Sequence, residues 1–69
     1  MTHDDCQVIL SRFGAWNLIN LLRIPGGPYS VTVRSAVSGK TYRVILPTGD
    51  RFDAQLISFL ISTGDPANT

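Results

Sequence analysis

The chain has 69 residues, with six Lys or Arg, five Asp or Glu, one His and one Cys, and a formal net charge of +1. That suffices for one small domain, while a single thiol excludes an internal disulfide and one Cys with one His cannot close a structural metal site. A chain this short buries only roughly 60% of the surface it exposes when unfolded, so tight packing and self-association are the stabilisers left to it.

Charge is unevenly spread. Residues 6–49 hold Arg12, Arg23, Arg34, Lys40 and Arg43 and no acid, while Asp4, Asp5, Asp50, Asp53 and Asp65 lie towards the ends. Asp4, Asp5, Asp50 and Asp53 fit helix first turns, where the helix dipole favours them. The acid-free middle remains, and it points to a partner that carries negative charge.

In chain order, Thr2 with Asp5 three residues on approximates a capping box, and a helical stretch is expected over 2–23, ended by Pro25-Gly26-Gly27-Pro28. At about 100° per residue, Cys6, Ile9, Leu10 and Phe13 share one face, and Ala15, Leu18, Leu21 and Leu22 share another rotated by roughly 150°. A straight helix cannot turn both stripes into one core. Either the chain breaks at Gly14 into two short helices, the favoured reading, or it continues and offers one stripe to another molecule. The break leaves Val8 and Trp16 as candidates for exposed apolar contact. The longest apolar stretch, Val8 to Ile24, is interrupted by Ser11, Arg12, Asn17, Asn20 and Arg23 and is too polar to span a bilayer. With no basic start or small-residue cleavage site, and with a lone thiol, the expected compartment is the cytoplasm.

Residues 29–46 give the strongest local signal. Tyr29, Val31 and Val33 alternate with Ser30, Thr32 and Arg34, and Tyr42, Val44 and Leu46 alternate with Thr41, Arg43 and Ile45, which predicts a two-stranded antiparallel hairpin turning at Ser38-Gly39. Its apolar face needs a cover. A second helix over 50–63, capped by Thr48 or Asp50, supplies one through Phe52, Leu56, Phe59 and Leu60, with Ile57 and Ile61 on an adjacent face. Gly64 ends it, and 65–69 reads as a short polar tail. The expected fold class is therefore α+β, an N-terminal helix, a hairpin and a C-terminal helix packed on it.

Chemistry-bearing motifs are weak. Ser38-Gly39-Lys40-Thr41 copies half of a phosphate-binding loop, but Arg34 stands where that motif needs glycine and a strand follows instead of a helix. A hairpin turn accounts for it. His3 and Cys6, three apart, lack the further ligands or partners that a metal site or a nucleophile would need, and they read as a frayed terminal His and a small buried Cys. No cofactor, metal, membrane or small-molecule substrate is implied, and enzymatic activity is not expected.

Two surfaces carry the functional expectation. Val8, Arg12, Trp16, Ile57 and Ile61 form a surplus apolar set with an Arg, the composition of a protein interface, and predict a homodimer or another protein partner. Arg34, Lys40 and Arg43, interleaved with Ser30, Thr32 and Thr41 on the hairpin's outer face, suit an acidic partner or the phosphates of nucleic acid. The leading expectation is a small non-enzymatic protein-interaction module, of the accessory kind found in phages and mobile elements, that inhibits or modulates a host complex by occupying its surface. The alternative is a small DNA- or RNA-binding regulator. The order helix, Gly39-containing hairpin, helix is also similar to that of small phage head-tail joining proteins of the gpW type, and that resemblance implies virion assembly.

Overall fold

The computed structural model describes residues 2–47 and 50–68. Two helices and a three-stranded antiparallel sheet are arranged in the order α1 (His3–Phe13), β1 (Trp16–Arg23), β2 (Tyr29–Ser35), β3 (Thr41–Leu46) and α2 (Phe52–Thr63), with β2 in the middle of the sheet. The class is α+β as expected, but the sheet has three strands and not two. The likeness to head-tail joining proteins depended on a hairpin alone between the helices, and the third strand removes that basis.

Helix α1 starts where the sequence places it. The Thr2 hydroxyl accepts the Asp5 N–H at 3.2 Å, and Asp4 and Asp5 occupy the first turn. Cys6 and Leu10 are buried, and the helix stops before Gly14. A substituent at Gly14 would run into the Ala67 carbonyl oxygen, so close backbone approach is what requires glycine here.

The chain beyond Gly14 is a strand, which corrects the expected helix over 2–23. Trp16 lies opposite Ser35 and Leu18 opposite Val33, but Asn20 pairs with Thr32 and Leu21 with Val31, so Ile19 is an extra residue. This bulge puts Leu18 and Leu21, three apart in sequence, on the same face of the sheet, and a spacing of three imitates a helix. Only the bulge makes the pattern look helical.

The β2–β3 hairpin holds as read. The Ser35 N–H donates to the Lys40 carbonyl at 2.9 Å, and Gly39 takes a positive φ of 76° in the connection. Tyr29, Val31, Val33, Val44 and Leu46 are buried on one face, under Cys6 and Leu10 of α1 and Phe52, Leu56 and Leu60 of α2. Both helices thus cover the same face, and among the described residues no second layer packs on the other face of the sheet.

Helix α2 begins at Phe52 after Arg51, a left-handed residue at φ 52°, with no side-chain cap. Asp50 therefore does not cap it, and Thr48 lies outside the described residues. Gly64 closes the helix at φ 66°. Residues 65–68 are not a free polar tail. Asp65 and Ala67 are buried, the Ala15 N–H donates to the Ala67 carbonyl at 3.0 Å, and the Asn68 amide donates to the Leu60 carbonyl at 2.7 Å. The last described residues fasten the start of β1 to the end of α2.

Candidate functional site

The uncovered face of the sheet is assembled by register. Three cross-strand rows lie on it: Leu22, Ser30 and Ile45; Asn20, Thr32 and Arg43; Asn17, Arg34 and Thr41. The rows grade from apolar to cationic. Leu22 and Ile45 are each about half exposed, as is Ile19 at the bulge, whereas Ser30, in the middle strand beneath the Arg43 side chain, is buried. Arg43 Nε donates to the Ser30 hydroxyl at 3.1 Å, which lays the guanidinium stem along the sheet. Lys40 is exposed at the hairpin tip, where its carbonyl accepts the Ser35 N–H, so its position in the ladder belongs to the core-side row of Ser35 and Tyr42 and not to the open face.

No carboxylate belongs to this face, because every residue on it comes from the acid-free middle of the chain. Asp4, Asp5 and Asp53 sit in the first turns of the helices, and Asp65 is buried. The two layers therefore carry opposite charge. Arg23 does not add to the open face: its guanidinium lies 5.5 Å from the Tyr29 ring centroid, at the core-side rim. Trp16, Tyr29 and Tyr42 point to the core side as well, packed edge to face as Trp16 on Tyr42 and Tyr29 on Phe52. The open face bears no aromatic ring.

Of the residues expected to form an apolar interface, Val8, Arg12, Ile57 and Ile61 lie on the two helices and Trp16 does not join them. Trp16 is 2% exposed, a correction of its expected exposure, because as the first residue of β1 it faces inward, and its Nε1–H donates to Asn68 Oδ1 at 3.1 Å. Arg12 and half-buried Ile57 line a shallow depression of about 310 Å³ between the helices, together with Ile9, Phe13 and Asp53. Val8 and Ile61 stay exposed on the helical layer, at 48% and 60%.

Three polar features escape the sequence reading. Asp65 accepts hydrogen bonds from the hydroxyls of Ser35 at 2.7 Å, Ser38 at 2.6 Å and Tyr42 at 2.9 Å, and from the Ala67 N–H at 2.9 Å. Burial works against its ionisation, but the donors, Ser38 first, outweigh that and hold the carboxyl well below the usual carboxylate range. Burial, and then Asp65 itself, push the Tyr42 hydroxyl up. A carboxylate this well solvated by protein donors is a poor proton acceptor, so the cluster clamps the hairpin to the chain end instead of offering a base. Gln7 is the second feature: its side chain donates to the Trp16 carbonyl at 3.2 Å and accepts the Leu18 N–H at 2.9 Å, imitating a neighbouring strand along the β1 edge. The third is the β1 contribution to the open face, Asn17, Asn20 and Leu22, hidden while 16–23 reads as helix. The alternation of Trp16 and Leu18 with Asn17, and the weak helix propensity of Asn, were the available signals.

His3 is exposed and Cys6 fully buried, so the structure does not bring the two into one site. Burial pushes the Cys6 thiol up to about 11. Among the described residues no group of three or more His, Cys, Asp or Glu could hold a metal ion, and no helix is long and apolar enough to cross a membrane. Comparison with protein-family models, with curated proteins and with solved structures returns no match to this chain.

Proposed function

We propose that the chain is a small non-enzymatic protein-interaction module of the cytoplasm that modulates or inhibits a partner by covering an acidic protein surface with the open face of its sheet. The observation that carries this reading is the juxtaposition of Arg34 and Arg43, with no carboxylate on their face, and half-exposed Leu22 and Ile45. Arginine is enriched at protein contacts, and half-exposed Leu22 and Ile45 on the same face add apolar area that a partner can bury. Nucleic acid is the weaker reading because the face offers no aromatic ring for base stacking, and Arg34, Lys40 and Arg43 make a small phosphate footprint. Self-association keeps Val8 and Ile61 as its exposed apolar groups, and sedimentation velocity of the wild type against Val8→Ser with Ile61→Ser tests it.

The decisive experiment is affinity capture from nuclease-treated lysate, with wild type and with Arg34→Glu plus Arg43→Glu as bait, followed by titration of the captured protein in purified form. A protein that binds through an acidic segment, and whose affinity falls at least about tenfold with the double variant, fits two lost charge pairs. Capture that is indifferent to the charge reversal, or that disappears with nuclease treatment, overturns the reading.

A further inference from the structure

The two edges of the sheet are treated differently. Along β1 the edge is interrupted by the Ile19 bulge, and the Gln7 side chain occupies the Trp16 carbonyl and the Leu18 amide. Bulges and plugs of this kind are how sheets prevent unwanted strand addition. Along β3 neither device is present among the described residues. The Ser35-to-Lys40 hydrogen bond sets the phase of the β2–β3 ladder, so Tyr42, Val44 and Leu46 bond towards β2, and the amides and carbonyls of Thr41, Arg43 and Ile45 point outward. Among the described residues no hydrogen bond is made by those outward groups. The pairing of β3 with β2 runs without a register shift.

A groove of about 510 Å³ runs beside this bare edge, between β3 and α2. Ile45, Ala54 and Phe59 give it apolar surface, and Arg51, Ser58 and Ser62 line it as well. Both ingredients of strand addition are therefore side by side: a row of backbone donors and acceptors, and a pocket for alternate side chains.

We infer that β3 accepts an extended segment of a partner protein as a fourth, antiparallel strand, and that this segment alternates acidic with apolar residues. The inference deepens the proposed function and rests on it. In an antiparallel ladder a residue hydrogen-bonded to Arg43 points its side chain to the same open face as Arg43, where an aspartate or glutamate meets the guanidinium and the acid-free surroundings. Its neighbours in the segment point to the helix side, into the groove against Ala54 and Phe59. A second copy of this chain is the poorer occupant, because pairing two β3 strands about Arg43 sets guanidinium against guanidinium and extends one cationic face with another.

The test uses the full 69-residue chain, ¹⁵N-labelled, and a blocked octapeptide of alternating aspartate and valine. Binding should slow amide exchange at Thr41, Arg43 and Ile45 while leaving Gln7 and Leu18 unchanged. Methylating the backbone nitrogens of the aspartates, which face β3, should weaken binding by about tenfold or more, since each lost hydrogen bond removes up to about that factor. Methylating the valine nitrogens, which face away, should leave it intact, and Arg43→Glu should abolish it. If the peptide shifts Asn17, Asn20 and Arg34 with no protection at the β3 edge and no dependence on which nitrogens are methylated, strand addition is wrong and the open-face reading survives. If it does not bind at millimolar concentration, or if the chain alone dimerises with Thr41, Arg43 and Ile45 already protected, the inference is overturned. Absence of any response of Arg34 and Arg43 to the peptide counts against the proposed function too.

Discussion

Replacing Gln7 by Met removes the plug on the β1 edge while changing little else. Both residues are unbranched and of similar helix propensity, so the effect on α1 itself is small. Lost are the bonds to the Trp16 carbonyl at 3.2 Å and from the Leu18 amide at 2.9 Å, both partly buried, and the exposed contact of Gln7 Nε2 with the Ser11 hydroxyl at 3.1 Å. At about 1 kcal/mol for each partly buried bond, and little for the exposed one, the variant should lose about 2 kcal/mol. For a domain of this size that corresponds to a fall in Tm of roughly 8–16 °C. Thermal unfolding followed by far-ultraviolet circular dichroism gives the midpoint, and amide exchange gives the site: Leu18 should lose protection selectively. The newly exposed edge should also raise the concentration dependence of sedimentation. A variant within about 0.3 kcal/mol of wild type, inside the range of ordinary surface substitutions, with Leu18 still protected, would refute the plug.

Three further outcomes are expected. Because the donors around Asp65 lower its folded pKa, the unfolded chain binds a proton before the folded chain does, so Asp65 stabilises the fold fully above the ordinary aspartate value near about pH 4 and progressively less as pH falls below it. Thermal midpoints of wild type should thus fall on acidification through that range more steeply than those of Asp65→Asn, and parallel curves would exclude the clamp. Gly14→Ala forces a methyl group onto the Ala67 carbonyl and should cost about 2 kcal/mol in urea denaturation, whereas Gly26→Ala, with no atom near the added methyl, should cost less even though its φ of 68° is strained. Cys6, buried and with its thiol pushed up to about 11, should resist iodoacetamide at pH 8 in the native state and react once urea unfolds the chain; equal rates in the two states would contradict its burial.

The sequence made legible whatever depends on an unbroken period. Tyr29 to Leu46 alternates without interruption, and Phe52, Leu56 and Leu60 recur at helical spacing, so β2, β3 and α2 are read directly. β1 was illegible because its alternation is broken once, at Ile19, and a single inserted residue shifts every later side chain by one. That one residue also concealed half of the candidate site, since Asn17, Asn20 and Leu22 join Arg34 and Arg43 only when 16–23 is a strand. The chain end hid for another reason: Asp65 and Asn68 act through partners 30 and 52 residues away, Ser35 and Trp16, and a long-range hydrogen bond leaves no local pattern.

A consequence for function lies in where the stabilising contacts were placed. A chain of 69 residues has little apolar area to bury, and here two helices over one face of the sheet enclose the whole buried core, from Cys6 to Ala67. Polar fasteners complete the closed side: Gln7 on the β1 edge, Asn68 on Trp16 and Leu60, and Asp65 across the hairpin. Each is made by a side chain that bonds back into the fold on the closed side, whereas among the described residues the open face carries the single bond from Arg43 to Ser30 and the outward amides and carbonyls of β3 carry none. An edge strand left regular while its counterpart is bulged and plugged is a hazard for aggregation unless something else occupies or repels it. Arg43 at the centre of β3, with Arg34 on the same face, is the feature that in the strand-addition proposal disfavours a second copy and favours a carboxylate-bearing segment. On the strand-addition proposal, the charges that disfavour pairing of two β3 edges are the ones that would select the partner segment.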